Sequence, residues 1–276
     1  MSTEASGGEA LGHPDADEIK QCCARLYESE IVAQLLGESF HPGGAKLTER
    51  LGELLGLTCE SRVLDAASGR GASAVVLAQR FGGAVVGIDL SARNVEYAAA
   101  EAVRLGLADR LRFEVGDAEH LPLAAASVDA IVCECAFCTF PDKARAAQEF
   151  ARVLKPGGRV GLSDITRAPG PPGELADLMA WIACLADARP AVSYAACLTD
   201  AGLTDPTVEA HDQVLLEMIR SIGGRLFATE VLAGLKAIDL KGMNLAELKR
   251  LANQALAAAN QHRLGYAIVC ATKPLQ

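Results

Sequence analysis

Apolar residues in the first part of the chain recur with a helical period. Ile19, Cys22, Cys23, Leu26, Ile31 and Leu35 fall on related faces between Asp15 and about Gly37, which predicts a helix there. His41-Pro42-Gly43-Gly44 breaks the pattern, and a second amphipathic helix is expected from Lys46 to about Gly56. The period then changes. Short apolar runs at Arg62–Ala66, Ala84–Asp89, Leu111–Val115, Val128–Cys133 and Arg159–Ser163 read as buried strands. Helical segments separate several of them, at Ala72–Phe81, from the candidate cap Ser91 to about Leu105, and at Asp142–Leu154. The last of these is expected to stop at Leu154-Lys155-Pro156-Gly157-Gly158, where proline cannot continue a helix and glycine accepts a left-handed turn.

Strands that alternate with helices at short spacing build parallel βαβ units, because parallel strands need a crossover. The expected fold is therefore α/β, Rossmann-like, with helices on both faces of the sheet. After the Pro-rich loop Ala168–Gly173, helices are expected near Glu174–Leu185 and Val192–Ala201, with a strand near Pro206–Ala210. A longer helical stretch runs from Val214 to about Asn260, and Gly265–Thr272 reads as a closing strand. The expected organisation is a flexible tail at 1–14, a helical cover at 15–57, and an α/β domain at 58–276. A helical insert at about 213–262 in that domain would serve as a lid or a homodimer surface. The charged runs Lys143–Arg152 and Lys236–Arg250 read as solvated helix faces.

Composition narrows the function. Half of the 276 residues are hydrophobic and 22% are charged, which excludes a disordered chain. With Lys+Arg 26 against Asp+Glu 35 the net charge is −9, which argues against nucleic acid or an anionic membrane as partner. No apolar run is long enough to cross a bilayer, and the polar, acidic start lacks a secretion signal's basic and apolar regions. The expectation is a cytoplasmic protein acting on a small molecule. Nine cysteines, odd in number, do not suggest a disulfide framework in a chain of this length.

Chemistry concentrates at strand ends. Asp65-Ala66-Ala67-Ser68-Gly69-Arg70-Gly71 leaves the first strand as a small-residue turn before a helix, where backbone closely approaches a ligand. Asp89 ends the second strand about twenty residues on, a position suited to ribose hydroxyls. Gly116-Asp117-Ala118 follows the third strand, placing a carboxylate to meet an adenine amino group. A dinucleotide site wants G-x-G-x-x-G, but here only Gly69 and Gly71 fit and Ala74 takes the third place. Asp65 would repel a pyrophosphate and suits a cationic ligand such as a sulfonium or ammonium.

The motifs V-L-D-A-A-S-G-R-G, G-I-D-L-S, G-D-A-E-H-L-P and R-V-L-K-P-G-G-R, in this order from Arg62 to Ser163, resemble the class I S-adenosylmethionine-dependent methyltransferases. The resemblance implies a seven-stranded methyltransferase sheet and S-adenosyl-L-methionine as cofactor. It assigns Asp65, Ala67, Gly69 and Gly71 to the methionine part, Asp89 to ribose, and Asp117 with Ala118 to adenine, flanked by Leu90 and Glu119. Ala67 stands where the family usually has glycine.

The acceptor is less defined. Cys133-Glu134-Cys135-Ala136-Phe137-Cys138 leaves the fourth strand close to where the methyl group is expected, and soft thiolates favour metalloids. The stretch through Pro141-Asp142-Lys143 is similar to arsenite methyltransferases, with Cys135 at the family's arsenic-binding cysteine and Glu134 in place of its usual Asn. Trp181-Ile182-Ala183-Cys184 resembles the segment of the next such cysteine, so the resemblance implies Cys135 and Cys184 as metalloid ligands. The third expected cysteine is missing from Ser39–Gly44, and Cys22, Cys23, Cys59 or Cys138 are its candidate replacements. The alternatives are a methyltransferase of an ordinary metabolite with an O, N or C nucleophile, and a non-catalytic cofactor-binding sensor. An oxygen or nitrogen acceptor would often need a base, and Glu134 and His41 are the nearest candidates. Tyr27 is placed to close over the cofactor from the first helix.

Overall fold

The computed structural model describes Lys20, Glu28 and residues 41–170, 187–234 and 244–275, with backbone alone for 231–234. Seven strands form one sheet: β1 (Arg62–Ala66), β2 (Ala84–Asp89), β3 (Leu111–Val115), β4 (Val128–Glu134), β5 (Leu154–Arg167), β6 (Thr204–Ala210) and β7 (Leu264–Thr272). Their order across the sheet is β3-β2-β1-β4-β5-β7-β6. β1 pairs in parallel with both β2 and β4, while β7 runs antiparallel to both its neighbours, β5 and β6.

Seven helices accompany the sheet among the described residues: α1 (Gly44–Leu55), α2 (Ala72–Phe81), α3 (Ala92–Arg104), α4 (Lys143–Val153), α5 (Ala191–Asp200), α6 (Asp212–Gly234) and α7 (Leu245–Asn260). The expected starts of α3 and α4 follow from capping. Ser91 accepts the Asn94 N–H through its hydroxyl oxygen, and Asp142 accepts the Arg145 N–H through its carboxylate. α1 lays Leu47, Leu51 and Leu55 against the sheet. A Cβ at Gly161 would stand 2.4 Å from Leu51 Cδ1, so a residue without a side chain lets α1 reach β5.

Three sequence expectations change. The long helical stretch is two helices, α6 and α7, with 235–243 outside the described residues. α4 ends at Val153 without a glycine turn, because Leu154 is already extended and starts β5. The face Lys143–Arg152 is not simply solvated. Lys143 is 2% exposed, and its ammonium donates to Cys138 O (2.8 Å), Phe140 O (2.9 Å) and Asp187 Oδ2 (2.6 Å). The buried Glu149 accepts the Leu121 N–H (2.9 Å), and Arg152 donates to Leu121 O and Leu123 O. These charges carry backbone polar groups of two loops. The predicted helix near Glu174–Leu185 and most of the predicted helix from Asp15 lie outside the described residues.

The outer strand β6 contains Pro206 beside Asp205, whose φ is +51°, and its register with β7 shifts between Thr204 and Thr207. A proline and a bulge discourage further pairing at a sheet edge. Inside, Phe137 meets Phe140, Phe150 and Tyr194 with ring centroids 5.7, 6.1 and 5.8 Å apart. This cluster fastens the short helical turn Phe137–Thr139 after β4 to α4 and α5. Phe150 is fully buried. Phe150→Ala is therefore expected to lower the free energy of unfolding by about 3–5 kcal/mol, seen as a fall in urea midpoint without a change in denaturant slope. A loss within about 0.5 kcal/mol, the range of surface substitutions, would show that the cluster does not hold this corner.

Candidate functional site

Between β1 and β4 the order of strands reverses relative to the chain, and in open α/β sheets a crevice opens at the carboxyl ends of such strands. A cavity lies there. It is walled by the turn after β1 (Ala67, Ser68, Gly69), the end of β2 (Asp89, Leu90), Asp117 and Ala118 after β3, and Glu134 and Cys135 at the end of β4. Asp65, His41, Lys20, Thr139 and Phe140 also line it.

The turn is held by its own backbone. Ser68 N–H donates to Ile88 O (3.0 Å), and Gly71 N–H donates to Ser68 O (2.9 Å). Ala67 has φ +60°, a left-handed conformation that costs an L-residue about 1–2 kcal/mol. Gly71 has φ +81°, and a Cβ there would stand 2.8 Å from Phe113 Cζ, so this glycine serves packing behind the turn and does not line the cavity. Cys135, at φ +53°, is a second non-glycine residue on the wall in this conformation. Strained backbone of this kind gathers at functional sites.

The acids have different surroundings. Asp65 is 2% exposed, and its Oδ2 has no hydrogen-bond partner among the described residues. Burial, followed by the nearby carboxylates of Glu134 and Asp89, pushes its pKa well above the usual range. An orphaned carboxylate oxygen in the wall of a cavity fits a cation. Asp89 accepts Gly69 N–H (2.8 Å) on Oδ2 and Ser91 N–H (2.9 Å) on Oδ1. Burial raises its pKa, and these two bonds offset part of the rise. Asp117 accepts Glu119 N–H (2.8 Å) and the Lys20 ammonium (2.8 Å). Burial acts to raise Asp117, but Lys20 and the backbone bond outweigh it and hold the carboxyl below the usual range. Glu119 does not line the cavity; it pairs with Lys20 (2.5 Å) and accepts Asp142 N–H (2.8 Å).

At the far end, Glu134 is the centre of a buried polar network. Its Oε2 accepts the Thr48 hydroxyl (2.9 Å) and lies 3.6 Å from His41 Nε2. Its Oε1 accepts the Ser163 hydroxyl (3.0 Å), which also contacts the Tyr266 hydroxyl (3.2 Å). His41 Nδ1 stands 3.1 Å from Pro42 O and so carries the proton there, since a carbonyl only accepts. Among the described cysteines, Cys135 alone lines the cavity. Cys133 and Cys138 are fully buried, and burial raises the Cys133 thiol well above its usual pKa. Among the described residues no three His, Cys, Asp or Glu side chains are grouped to hold a metal ion. Cys184, Cys22, Cys23 and Tyr27 lie outside the described residues.

Residues 64–162 match the family model for a methyltransferase domain. The 27-O-demethylrifamycin SV methyltransferase of Amycolatopsis mediterranei (strain S699) is 30% identical over 89% of this chain and 94% of its own. The chain belongs to the class I S-adenosylmethionine-dependent methyltransferases. The arsenite methyltransferase of Halobacterium salinarum (strain ATCC 700922 / JCM 11081 / NRC-1) is 31% identical over 76% of this chain and 50% of that protein. Phosphoethanolamine N-methyltransferase 2 of Haemonchus contortus, solved with S-adenosyl-L-methionine, superimposes with a TM-score of 0.79 at 19% identity, over 93% of this chain and 60% of that one. This methyltransferase thus uses S-adenosyl-L-methionine, and among the described residues no helix is long and apolar enough to cross a membrane.

Of the residues singled out in the sequence, Asp65, Ala67, Gly69, Asp89, Leu90, Asp117, Ala118, Glu134, Cys135 and His41 meet on the one cavity, and Gly71 and Glu119 do not. Sequence reasoning missed Thr48, Ser163 and Tyr266. Ser163 is the register partner of Glu134 on the neighbouring strand, a pairing that only the folded sheet reveals. Thr48 and Tyr266 come from distant elements with no local motif.

The raised pKa of Asp65 has a measurable consequence. A cationic ligand favours its ionised form, so binding of S-adenosyl-L-methionine should release protons as pH falls through the raised pKa, above the ordinary carboxylate value of about 4. Affinity should weaken over the same range. Calorimetry in buffers of different ionisation enthalpy measures the count, and Asp65→Asn should abolish it. An unchanged proton count in that variant would show that Asp65 does not sense the ligand's charge.

Proposed function

We propose that this enzyme methylates a hydroxyl group on a small molecule, with His41 as the proton acceptor. The observation that carries the reading is the buried pairing of His41 with Glu134 on the cavity wall, at the end of β4. The relative aligned along most of both chains is named for an O-demethyl compound, which supports an oxygen acceptor.

S-adenosyl-L-methionine, when bound, would supply an electrophilic methyl group whose bond to sulfur breaks as an acceptor lone pair bonds to its carbon, with the neutral thioether as leaving group. In this reading Asp65 offers its unpaired oxygen to the positive charge of the methionine part, and the backbone at Ala67 and Gly69 lies against it. Asp89 takes the ribose hydroxyls. Its oxygens already accept backbone N–H groups, and those bonds aim the remaining lone pairs. Asp117 and Ala118 take the adenine, with Leu90 against its face. His41 keeps its Nδ1 proton on Pro42 O, so Nε2 is the nitrogen assigned to take up the proton of the acceptor hydroxyl. Glu134 stabilises the resulting imidazolium. Phe140 and the buried aromatic cluster beneath it keep water from this end.

A thiol-bound metalloid such as arsenite is the second reading. Cys135 on the cavity wall and the arsenite methyltransferase among the relatives favour it. Three carboxyl groups on the same wall, Asp65, Asp89 and Glu134, disfavour a thiolate beside them.

A turnover screen with labelled methyl donor against hydroxylated aromatics, alcohols, amines, thiols and arsenite separates the two. With a hydroxyl acceptor, His41→Ala and Glu134→Gln should each lower kcat by a factor on the order of 10² or more while S-adenosylhomocysteine affinity stays unchanged. Cys135→Ser should retain turnover. Loss of all turnover in Cys135→Ser, with arsenite as the productive acceptor, would install the metalloid reading instead. Asp89→Ala should weaken S-adenosylhomocysteine binding by about 1–3 kcal/mol, the worth of charge-assisted hydrogen bonds.

A further inference from the structure

Lys20 reaches the cavity from the chain ahead of α1. Its ammonium is 2.8 Å from Asp117 Oδ2 and 2.5 Å from Glu119 Oε2. The Lys20 side chain is 13% exposed and that of Glu119 5%, so water and salt screen these charges little. Asp117 Oδ1 accepts the Glu119 N–H, and the exposed His120 stands farther off, with Nδ1 3.7 Å from Asp117 Oδ2. Burial acts to raise the Asp117 pKa, yet the carboxyl lies below the usual range, with Lys20 the largest opposing effect. Glu28, from the same part of the chain, makes a separate tie. Its Oε1 accepts the Ser91 hydroxyl (2.6 Å), and Ser91 N–H in turn holds Asp89.

The two carboxyl groups on this wall differ in what they need from a ligand. Asp65 has an oxygen without a partner among the described residues, which suits a cation. A purine base is neutral and brings no charge, so a carboxylate that it covers must take its compensation from the protein. Lys20 supplies that compensation at Asp117. A carboxylate oxygen that accepts one hydrogen bond can accept a second. The ammonium on Oδ2 therefore does not close Asp117 to the N–H of a ligand. Without the ammonium, Asp117 and Glu119 would repel each other and hold a proton more readily.

We propose that Lys20 is a positioning residue for the cofactor: it neutralises Glu119 and keeps Asp117 ionised as the acceptor for the adenine amino group. This inference rests on the reading of Asp117 as the carboxylate that takes the adenine.

Calorimetry of S-adenosylhomocysteine binding to the full chain tests it. Lys20→Met keeps the stem and removes the charge. It should raise Kd about tenfold, the scale of a hydrogen bond to a charged group, and Lys20→Arg should recover most of the affinity. In the Asp117→Asn, Glu119→Gln background the same Lys20→Met change should alter Kd by less than about twofold, within the scatter of such cycles. An unchanged Kd in Lys20→Met, or an equal loss in both backgrounds, would overturn the proposal. A tighter Kd would overturn it too, by showing that Lys20 competes with the adenine. An unchanged Kd in Asp117→Ala would instead overturn the adenine reading itself.

A second measurement needs no ligand. The carboxyl carbon resonance of Asp117 should titrate at higher pH in Lys20→Met than in the wild type, because a cation that favours the ionised form has gone. A titration left in place would overturn the proposal. Lys20→Gln is carried through the same comparisons should Lys20→Met fail to fold.

Discussion

Placing β1 between β2 and β4 is the constraint from which the rest of the molecule follows. From β1 the chain moves outward through β2 to β3, then returns to the other side for β4 and β5. The crossovers on either side of that reversal cannot both cover the carboxyl edge of β1, so a crevice is left there. Polar residues at the ends of four strands have nowhere to point but into it. Asp65 is buried for this reason: its strand is flanked on both sides, and its carboxyl group cannot reach bulk water. What would be a fault in a closed core suits a positive charge beside an open cavity.

Charge balance within the crevice is uneven along its length. Toward Asp117 the acids have a cationic partner, since the Lys20 ammonium serves both Asp117 and Glu119. At Asp65 none of the described residues offers that compensation to the free oxygen. At Glu134 the compensation is spread over hydroxyl groups and an imidazole. The three zones therefore differ: an end whose acids are paired with an ammonium, a centre with an unpartnered carboxyl oxygen, and an end where a carboxylate sits among hydroxyl groups and an imidazole.

Much of this was legible before any coordinates. The β1 turn, Asp89 and Asp117 announce themselves because each sits at the end of an apolar run, where local pattern determines position. Ser91 was visible as a cap for the same reason, although Leu154 shows that a Pro-Gly-Gly sequence need not end a helix with a left-handed residue when a strand follows at once. The burial of Lys143 was not legible. Charge on a helix reads as solvated unless the loops it serves are known, and those loops are placed by tertiary packing. Thr48, Ser163 and Tyr266 were hidden likewise, because they converge on Glu134 from α1, β5 and β7. The cysteine cluster shows the opposite failing. Three thiols close in sequence separate in space, two into the core and one onto the cavity wall, once a tight helical turn replaces an extended strand after Cys135.

β5 finds its full partner only in β7, with Arg159 opposite Thr272 and Arg167 opposite Leu264. While the chain is being synthesised, one long edge of the sheet therefore stays open until about a hundred further residues have emerged. Long-range pairing of this kind is slow and leaves strand edges exposed to other chains. The same last strand brings Tyr266 to Ser163, behind Glu134. The open edge and the unfinished polar network are thus closed by one event, the docking of β7, so an intermediate that lacks this strand holds neither a finished sheet nor a finished network around Glu134.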